Sequence, residues 1–168
     1  MSNLTVDANY KAITLARSLR ITNNQTSLKL LVFKIGKLTL ALPILQVQKV
    51  VRYNRVHGSG LSHVNLAHLG DREVAIVDLH QKLFKVSLPQ SSQNKGYFII
   101  SKNIAGEPLG ILVSESPALI DVPTAQIRLI PESYRRADTL AIASHVAVVP
   151  QDDETSQTIF ILDLQQLV

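Results

Sequence analysis

The sequence predicts a mainly β protein built from two similar small barrels. Two observations lead to this prediction: short apolar segments alternate with turn residues over most of the chain, and one series of motifs occurs twice in the same order. The chain has 168 residues, of which 46% are hydrophobic and 18% are charged. This composition supports a buried core in one compact domain or in two closely packed halves.

The first 27 residues differ from this β pattern and predict a helix followed by a linker. Asp7 can cap a helix over residues 7–20, and Tyr10 and Ile13 lie on one side of it. Residues 22–27 are all polar and form the expected linker. We expect the helix to pack on its own domain, and docking of a partner is the less favoured alternative.

The first half of the remaining chain, residues 28–88, begins with a predicted hairpin. Apolar residues alternate on both sides of Gly36-Lys37, which predicts a two-residue turn, and Pro43 ends the second strand. The other elements expected in this half are a strand at residues 47–51, a loop at 52–62, a buried strand at 73–79 and a short helix at 79–84.

The second half, residues 89–168, repeats this theme after a polar break at residues 89–94. A turn is predicted at residues 103–106. The expected strands occupy residues 97–100, 109–113, 118–122, 140–149 and 159–164. The two halves are therefore the predicted subdomains, with strand exchange or shared packing between them.

An internal repeat supports the two-barrel prediction. The segments that match in the same order are residues 36–51 with 106–122 and residues 75–79 with 160–164. The second pair of segments ends in Asp-Leu, so Asp78 and Asp163 each precede a short predicted helix. A carboxylate at this position satisfies free backbone N–H groups, and we assign both residues a capping role. A catalytic pair of carboxylates is the less favoured alternative.

Charge is distributed unevenly along the chain, whose net charge is +4. Residues 28–86 carry 9 Lys and Arg against 3 Asp and Glu, whereas residues 87–168 carry 5 against 9. Opposite signs on the two halves favour weak head-to-tail self-association, and an accidental dispersion of charges is an almost equal alternative. Basic residues are scattered along the chain and aromatic residues make up only 5%, so a nucleic-acid partner is not expected.

Several chemical functions are disfavoured because their residue types or motifs do not occur. The chain has no cysteine, which excludes disulfides, thiolate metal sites and cysteine nucleophiles. The five histidines lack the close spacing of zinc ligands, and neither a phosphate loop nor a dinucleotide fingerprint occurs. We therefore expect no catalytic residue, no cofactor and no metal.

The cellular location is predicted from the absence of apolar targeting segments. No apolar run is long enough to span a bilayer, and the first 20 residues carry four charged side chains instead of a signal-peptide core. We expect a cytoplasmic protein without direct membrane insertion.

An ordered series of motifs resembles the CheW-like family over nearly all of residues 28–168. The matching segments are residues 31–36, 41–50, 74–79, 110–115, 127–131 and 161–167. Each motif alone is unspecific, and the order of the series carries the resemblance. The chain departs from the family's usual Asn-Leu-Arg-Gly pattern, because His68, Leu69, Gly70 and Asp71 stand in its place.

The resemblance implies two SH3-like five-stranded barrels around a shared core, with short helices after the Asp-Leu strands. It implies an adaptor without chemistry of its own, which joins a CheA-type histidine kinase to chemoreceptors in chemotaxis, phototaxis or twitching motility. The implied partners are the regulatory domain of the kinase and the cytoplasmic tip of the receptor. An SH3-like module that binds a small ligand or another protein outside chemotaxis, and an enzyme, are the alternatives.

A protein-binding surface is carried over from the matching family strands. It consists of Val47, Lys49, Val51, His68 and Leu69. Such surfaces bind through apolar centres that lose water on contact. On this hypothesis a charge at Leu69 abolishes partner binding and leaves stability nearly unchanged. The alternative is that Val47 and Val51 are core residues.

Overall fold

The computed structural model describes residues 19–22, 25–58, 62–87, 95–135 and 141–168. Strands and short helices account for most of them, which confirms the predicted mainly β fold class. The strands are β1 (Leu19–Thr22), β2 (Gln25–Ile35), β3 (Leu38–Pro43), β4 (Val47–Arg52), β5 (Val56–His57), β6 (Val64–Leu69), β7 (Arg72–Val77), β8 (Tyr97–Lys102), β9 (Pro108–Val113), β10 (Ala118–Pro123), β11 (Ile127–Leu129), β12 (Ala143–Pro150) and β13 (Ser156–Leu162). The helices are α1 (Leu79–Phe84) and α2 (Glu132–Arg135), with 3-10 turns at Ile44–Gln46, Thr124–Gln126 and Leu164–Gln166.

The strands form two barrels, in each of which the fifth strand is divided into two pieces. The middle barrel has the strand order β4-β8-β9-β7-β6-β5, and β4 and β5 are the two pieces. In the terminal barrel the order is β2-β3-β13-β12-β11, and β10 pairs with the other edge of β2. A 3-10 turn separates β10 from β11. The predicted pair of five-stranded barrels is therefore confirmed, and β1 is an addition that pairs with the start of β2.

Each barrel receives a hairpin from the other half of the chain. The hairpin β2-β3 pairs with β10 on one side and, in parallel, with β13 on the other. The hairpin β8-β9 pairs with β4 on one side and, in parallel, with β7 on the other. Strands from both sides of the expected boundary at residues 88 and 89 consequently contribute to each barrel.

Apolar side chains form three core clusters, because neighbouring residues of a strand point to opposite faces. Along β13, Ile159 and Ile161 belong to the cluster inside the terminal barrel, while Phe160 and Leu162 join a central cluster. The central cluster combines residues of β2, β3 and β13 with residues of β7, β8 and β9. The third cluster lies inside the middle barrel. Removal of the central cluster from water therefore holds the two barrels together.

Two tight turns begin with glycine. The predicted turn at Gly36-Lys37 is confirmed, since Ile35 pairs with Leu38 across it. Gly36 has a φ of +59°, which glycine adopts at little cost. Gly70, with a φ of +64°, begins a corresponding turn between β6 and β7. The sequence reading did not predict β6, because polar and apolar residues are mixed along it.

The expected N-terminal linker is wrong where the structure describes it. Residues 19–22 are β1, and β2 begins at Gln25, so the polar segment pairs as strands. The strand pairing provides partners for backbone groups, whatever the polarity of the side chains. The predicted helix lies outside the described residues up to residue 18, and its last two positions belong to β1. Within the described residues, no helix is sufficiently long and apolar to span a membrane.

Candidate functional site

Strand β4 carries three of the five proposed binding residues and lies at the end of its sheet order. A register shift near Gln48 separates the pairs Val47–Ser101 and Lys49–Ile100. An extra residue in a strand changes which face the following side chains occupy. Accordingly, Val47 packs against the central cluster, whereas Val51 packs against the cluster inside the middle barrel. The Lys49 side chain is exposed between them.

The other two proposed residues lie at the end of β6. Leu69 is half-buried and packs against the same cluster as Val51. The neighbouring His68 side chain is 59% exposed, and its Nε2 lies 3.6 Å from Oε1 of Glu73. The Nδ2 of Asn54, in the segment after β4, donates a hydrogen bond of 3.0 Å to the carbonyl of His68. The structure thus brings β6 close to the segment that follows β4.

The five proposed residues divide into two kinds. The three apolar residues Val47, Val51 and Leu69 are half-buried against core clusters, while Lys49 and His68 are exposed. A charge at Leu69 would disturb the interior of the middle barrel as well as any surface contact. Lys49 is therefore the better position at which to test binding alone.

The two Asp-Leu aspartates lie at the ends of β7 and β13 and are nearly completely buried. An Asp78 oxygen accepts a hydrogen bond of 3.0 Å from the backbone N–H of Gln81, at the start of α1. An Asp163 oxygen accepts one of 3.2 Å from the backbone N–H of Gln165. The second Asp163 oxygen lies 3.2 Å from Nη2 of Arg135. Sequence reasoning missed Arg135, because an arginine in a short polar segment carries no signal of its distant partner.

His63 connects the end of the chain to the middle barrel. Its ring forms a hydrogen bond with the backbone of Leu167, and its carbonyl accepts a hydrogen bond of 2.7 Å from the N–H of Asp78. Burial of the ring and the nearby positive charge of Lys82 lower the pKa of His63 below 6.5. The ring nitrogen Nε2 is buried without a hydrogen-bond partner. Burial and the charge of Lys82 thus favour the neutral form of the His63 ring.

Comparison with known proteins places both barrels within one family. The model of the CheW-like domain matches residues 29–168. The chain belongs to the CheW-like family. The scaffolding protein TtCheW from Thermoanaerobacter tengcongensis has a similar structure, with a TM-score of 0.66 and 18% sequence identity over 86% of this chain and 90% of that one. No curated protein matches the sequence significantly.

This CheW-like chain also has an apolar pit on the terminal barrel, which the sequence did not reveal. Its volume is about 280 Å³, below the usual size of a site for a drug-sized ligand. Leu129 and Tyr134 at its rim are 67% and 63% exposed. The remaining lining residues are Arg128, Ile130, Pro131, Val146 and Phe160. The lining is suited to an apolar side chain more than to a polar small molecule.

The histidines of this CheW-like chain do not gather into a ligand set. The rings of His57 and His68 lie 5.9 Å apart, centre to centre. Nδ1 of His80 instead contacts the carbonyl of Val86 within its own helix region. Across the described ranges, no group of three or more His, Cys, Asp or Glu side chains could hold a metal ion.

Proposed function

We propose that this chain is a non-catalytic adaptor that couples chemoreceptors to a CheA-type histidine kinase in the cytoplasm. The observation that carries the proposal is the family match from residue 29 to residue 168, which includes both barrels and their shared core. The described relative TtCheW is named a scaffolding protein. The signalling output is chemotaxis, phototaxis or twitching motility.

The proposed binding surface is the exposed side of β4 together with the end of β6. Val50 is 39% exposed and Leu45, just before β4, is 56% exposed, so exposed apolar residues precede and follow Lys49 along the chain. Protein interfaces gain most of their affinity where apolar side chains lose water at the centre of the contact. The surface is underlain by three half-buried residues that pack against the core clusters, Val47, Val51 and Leu69. At the end of β6, His68 extends the surface. The partners are the kinase regulatory domain and the cytoplasmic tip of the receptor.

The charge distribution supports a weak head-to-tail contact between copies as part of this proposal. Residues 44–113 carry 8 Lys and Arg against 4 Asp and Glu, whereas residues 25–43 and 114–168 together carry 6 against 8. The middle barrel is therefore the basic one even though the barrels exchange hairpins. Such a contact between exposed charges is weak and weakens further with added salt.

The decisive experiment measures binding to the regulatory domain of a CheA-type kinase from the same organism. We expect the unmodified chain to be retained by the immobilised domain, and Lys49→Glu to weaken binding by about tenfold, equivalent to about 1.4 kcal/mol. The matched control is Lys34→Glu, because Lys34 is also an exposed strand lysine but belongs to the terminal barrel. Equal melting temperatures of the two variants show that neither effect comes from unfolding.

The possible outcomes test the adaptor function and the proposed binding surface separately. If the unmodified chain binds neither the kinase domain nor a receptor tip, the adaptor function is wrong. If it binds and the two variants lose affinity equally, the function stands and the surface at β4 is wrong.

A further inference from the structure

The end of α1 presents apolar side chains beside the turn of the hairpin β2-β3. Leu79 is buried and Leu83 packs against the central cluster, so one side of this short helix joins the core. Phe84, its last residue, is 41% exposed, and a Cβ atom at Gly36 would lie 3.0 Å from Cε2 of the Phe84 ring. Val86, just after the helix, is 61% exposed. Two exposed apolar side chains therefore lie close together where the helix meets the hairpin.

His80 connects Phe84 and Val86 into one surface. Its ring lies 5.0 Å from the Phe84 ring, centre to centre, and its Nδ1 contacts the carbonyl of Val86. The hydroxyl of Ser87 donates a hydrogen bond of 3.1 Å to Oε1 of Gln81, which holds the chain after α1 against the helix. A partner therefore meets a surface whose side chains are already positioned, so less conformational entropy is lost on binding.

Three lysines lie at this end of α1. Lys37 is in the hairpin turn, Lys82 is in the helix and Lys85 is its C-cap. Among the residues that the structure describes, none of the three forms an ion pair. Burial of the ring, Lys82 and Lys85 all lower the pKa of His63, and the opposing effect of Asp78 is weaker than that of either lysine. The electrostatic potential at the end of α1 is therefore positive.

The backbone of Lys85 has a conformation that favours glycine. Its φ and ψ are 61° and 17°. Helices commonly end with glycine in this conformation, because a Cβ atom makes it sterically costly. Nζ of Lys85 donates a hydrogen bond of 3.2 Å to the carbonyl of Lys82, and the side chain remains exposed. A lysine at such a position indicates that its side chain contributes something that glycine cannot.

We infer that the end of α1 binds an acidic segment of a partner protein, in which carboxylates flank an apolar side chain. The carboxylates pair with the three lysines, and the apolar side chain covers Phe84 and Val86. Charge complementarity thus sets which segment binds and in which orientation, while the apolar contact supplies most of the affinity. This inference does not rest on the adaptor function.

The end of α1 and the proposed surface at β4 can be occupied at the same time. The turn at Gly36 precedes β3 and Leu45 follows it, so the six residues of β3 separate the two places. A strand of this length spans roughly 17–20 Å. A segment bound at α1 consequently leaves β4 free for a different partner.

The test measures binding of a fluorescent peptide, in which glutamates flank a pair of leucines, to the full chain at low salt. We expect saturable binding by fluorescence anisotropy, about tenfold weaker with glutamine in place of glutamate and severalfold weaker with serine in place of leucine. A chain that does not bind the acidic peptide, or that binds the glutamine peptide equally well, overturns the inference. Phosphatidylserine vesicles that bind the chain and displace the peptide also overturn it, because the surface then recognises a membrane.

Matched charge reversals locate the contact. Lys85→Glu should weaken peptide binding about tenfold, because it removes a cation and adds a repelling carboxylate. Lys102→Glu makes the same change of charge at an exposed lysine beside the turn of the other hairpin, β8-β9, and should change binding less than about twofold. Equal losses in the two variants would show that the peptide responds only to net charge, which contradicts a site at α1.

A second variant separates a binding role of Lys85 from a structural one. Glycine suits the φ of 61° but lacks the amine, so Lys85→Gly should weaken peptide binding about tenfold without lowering the melting temperature. If the lysine is present only for its hydrogen bond to the Lys82 carbonyl, the melting temperature of Lys85→Gly falls and peptide binding is unchanged. That result overturns the inference.

Discussion

The middle and terminal barrels have the same topology but different chemistry at matching positions. Asp78 donates its backbone N–H to the carbonyl of His63, and Asp163 donates its own to the carbonyl of Ile142. Ile142 is a core residue with 2% exposure, so a titratable ring in one barrel corresponds to a buried aliphatic side chain in the other.

A second difference concerns the parallel strand pairs. Ile76 is opposite Gly110 in the middle barrel, where Ile161 is opposite Ala41 in the terminal barrel. A third difference is that Asp163 faces Arg135 at 3.2 Å, while Asp78 caps its helix with no arginine ion pair among the described contacts. The comparison teaches that strand pairing and apolar alternation determine the same fold in both barrels. Each barrel, however, provides different partners for its buried polar groups.

The largest expected effect concerns the ion pair between Asp163 and Arg135 in the terminal barrel. Asp163→Ala should lower the free energy of unfolding by about 3 kcal/mol, because it leaves the largely buried Arg135 without its carboxylate. Asp78→Ala should cost only about 1 kcal/mol, the usual value for losing a helix cap. Urea unfolding of both variants measures the difference.

A double variant shows whether the unpaired charge of Arg135 causes the loss of stability in Asp163→Ala. Adding Arg135→Met to Asp163→Ala should recover part of the loss, because no unpaired cation then remains. If Asp163→Ala and Asp78→Ala lower the free energy of unfolding equally, Arg135 contributes little to the stability of the terminal barrel.

The next effect concerns the space opposite Ile76. A Cβ atom at Gly110 would overlap with Cδ1 of Ile76 and lie 3.2 Å from Cδ1 of Ile100. Gly110→Ala should therefore cost about 2 kcal/mol of stability by overpacking. The reverse change at the matching position, Ala41→Gly, should cost about 1 kcal/mol through lost packing and added chain entropy.

The overlap itself can be removed by one further change. Ile76→Val lacks Cδ1, so Gly110→Ala with Ile76→Val should be more stable than Gly110→Ala alone, as measured by thermal unfolding. An additive loss in the double variant would contradict the overpacking explanation.

The smallest expected effect is the pH dependence that His63 gives to the middle barrel. The pKa of His63 is lowered in the folded state by burial and by Lys82. The unfolded chain therefore takes up this proton first as the pH falls, so the stabilisation is complete above about pH 6.5 and declines below it. His63→Gln keeps a donor for Leu167 and should flatten this part of the stability curve relative to the unmodified chain. Parallel curves between pH 7.5 and 5.5 would show that His63 is not the cause.

Much of the fold follows from local patterns in the sequence. The turn at Gly36-Lys37, the strand alternation around it and the short helix at residues 79–84 are local features, so neighbouring residues are sufficient to predict them. The strands with which each exchanged hairpin pairs could not be predicted from the sequence. The parallel pairing of β3 with β13, for example, links residues more than 100 positions apart. The strand at residues 19–22 escaped prediction for a related reason, since its partner β2 and not its own composition sets its conformation.

The candidate site was less accessible to sequence reasoning than the fold. The resemblance supplied Val47, Lys49, Val51, His68 and Leu69 as one surface, but it could not indicate which of them face inward. That distinction depends on the register shift near Gln48 and on the curvature that brings Leu69 and Val51 to one cluster. The pit beside Leu129 and Tyr134 combines residues of the segment 128–134 with Val146 and Phe160, and the sequence does not show that these two distant residues join it.

The pairing of β3 with β13 also sets an order of events during protein synthesis. The ribosome makes the hairpin β2-β3 first and its partner strands last, and at about 5–20 residues per second the interval is roughly ten seconds. Throughout that interval Leu28, Leu30 and Ala41, all buried in the finished protein, have no barrel to enter. The hairpin of the nascent chain consequently exposes these apolar side chains until the C-terminal strands are made. At this stage a chaperone would bind it.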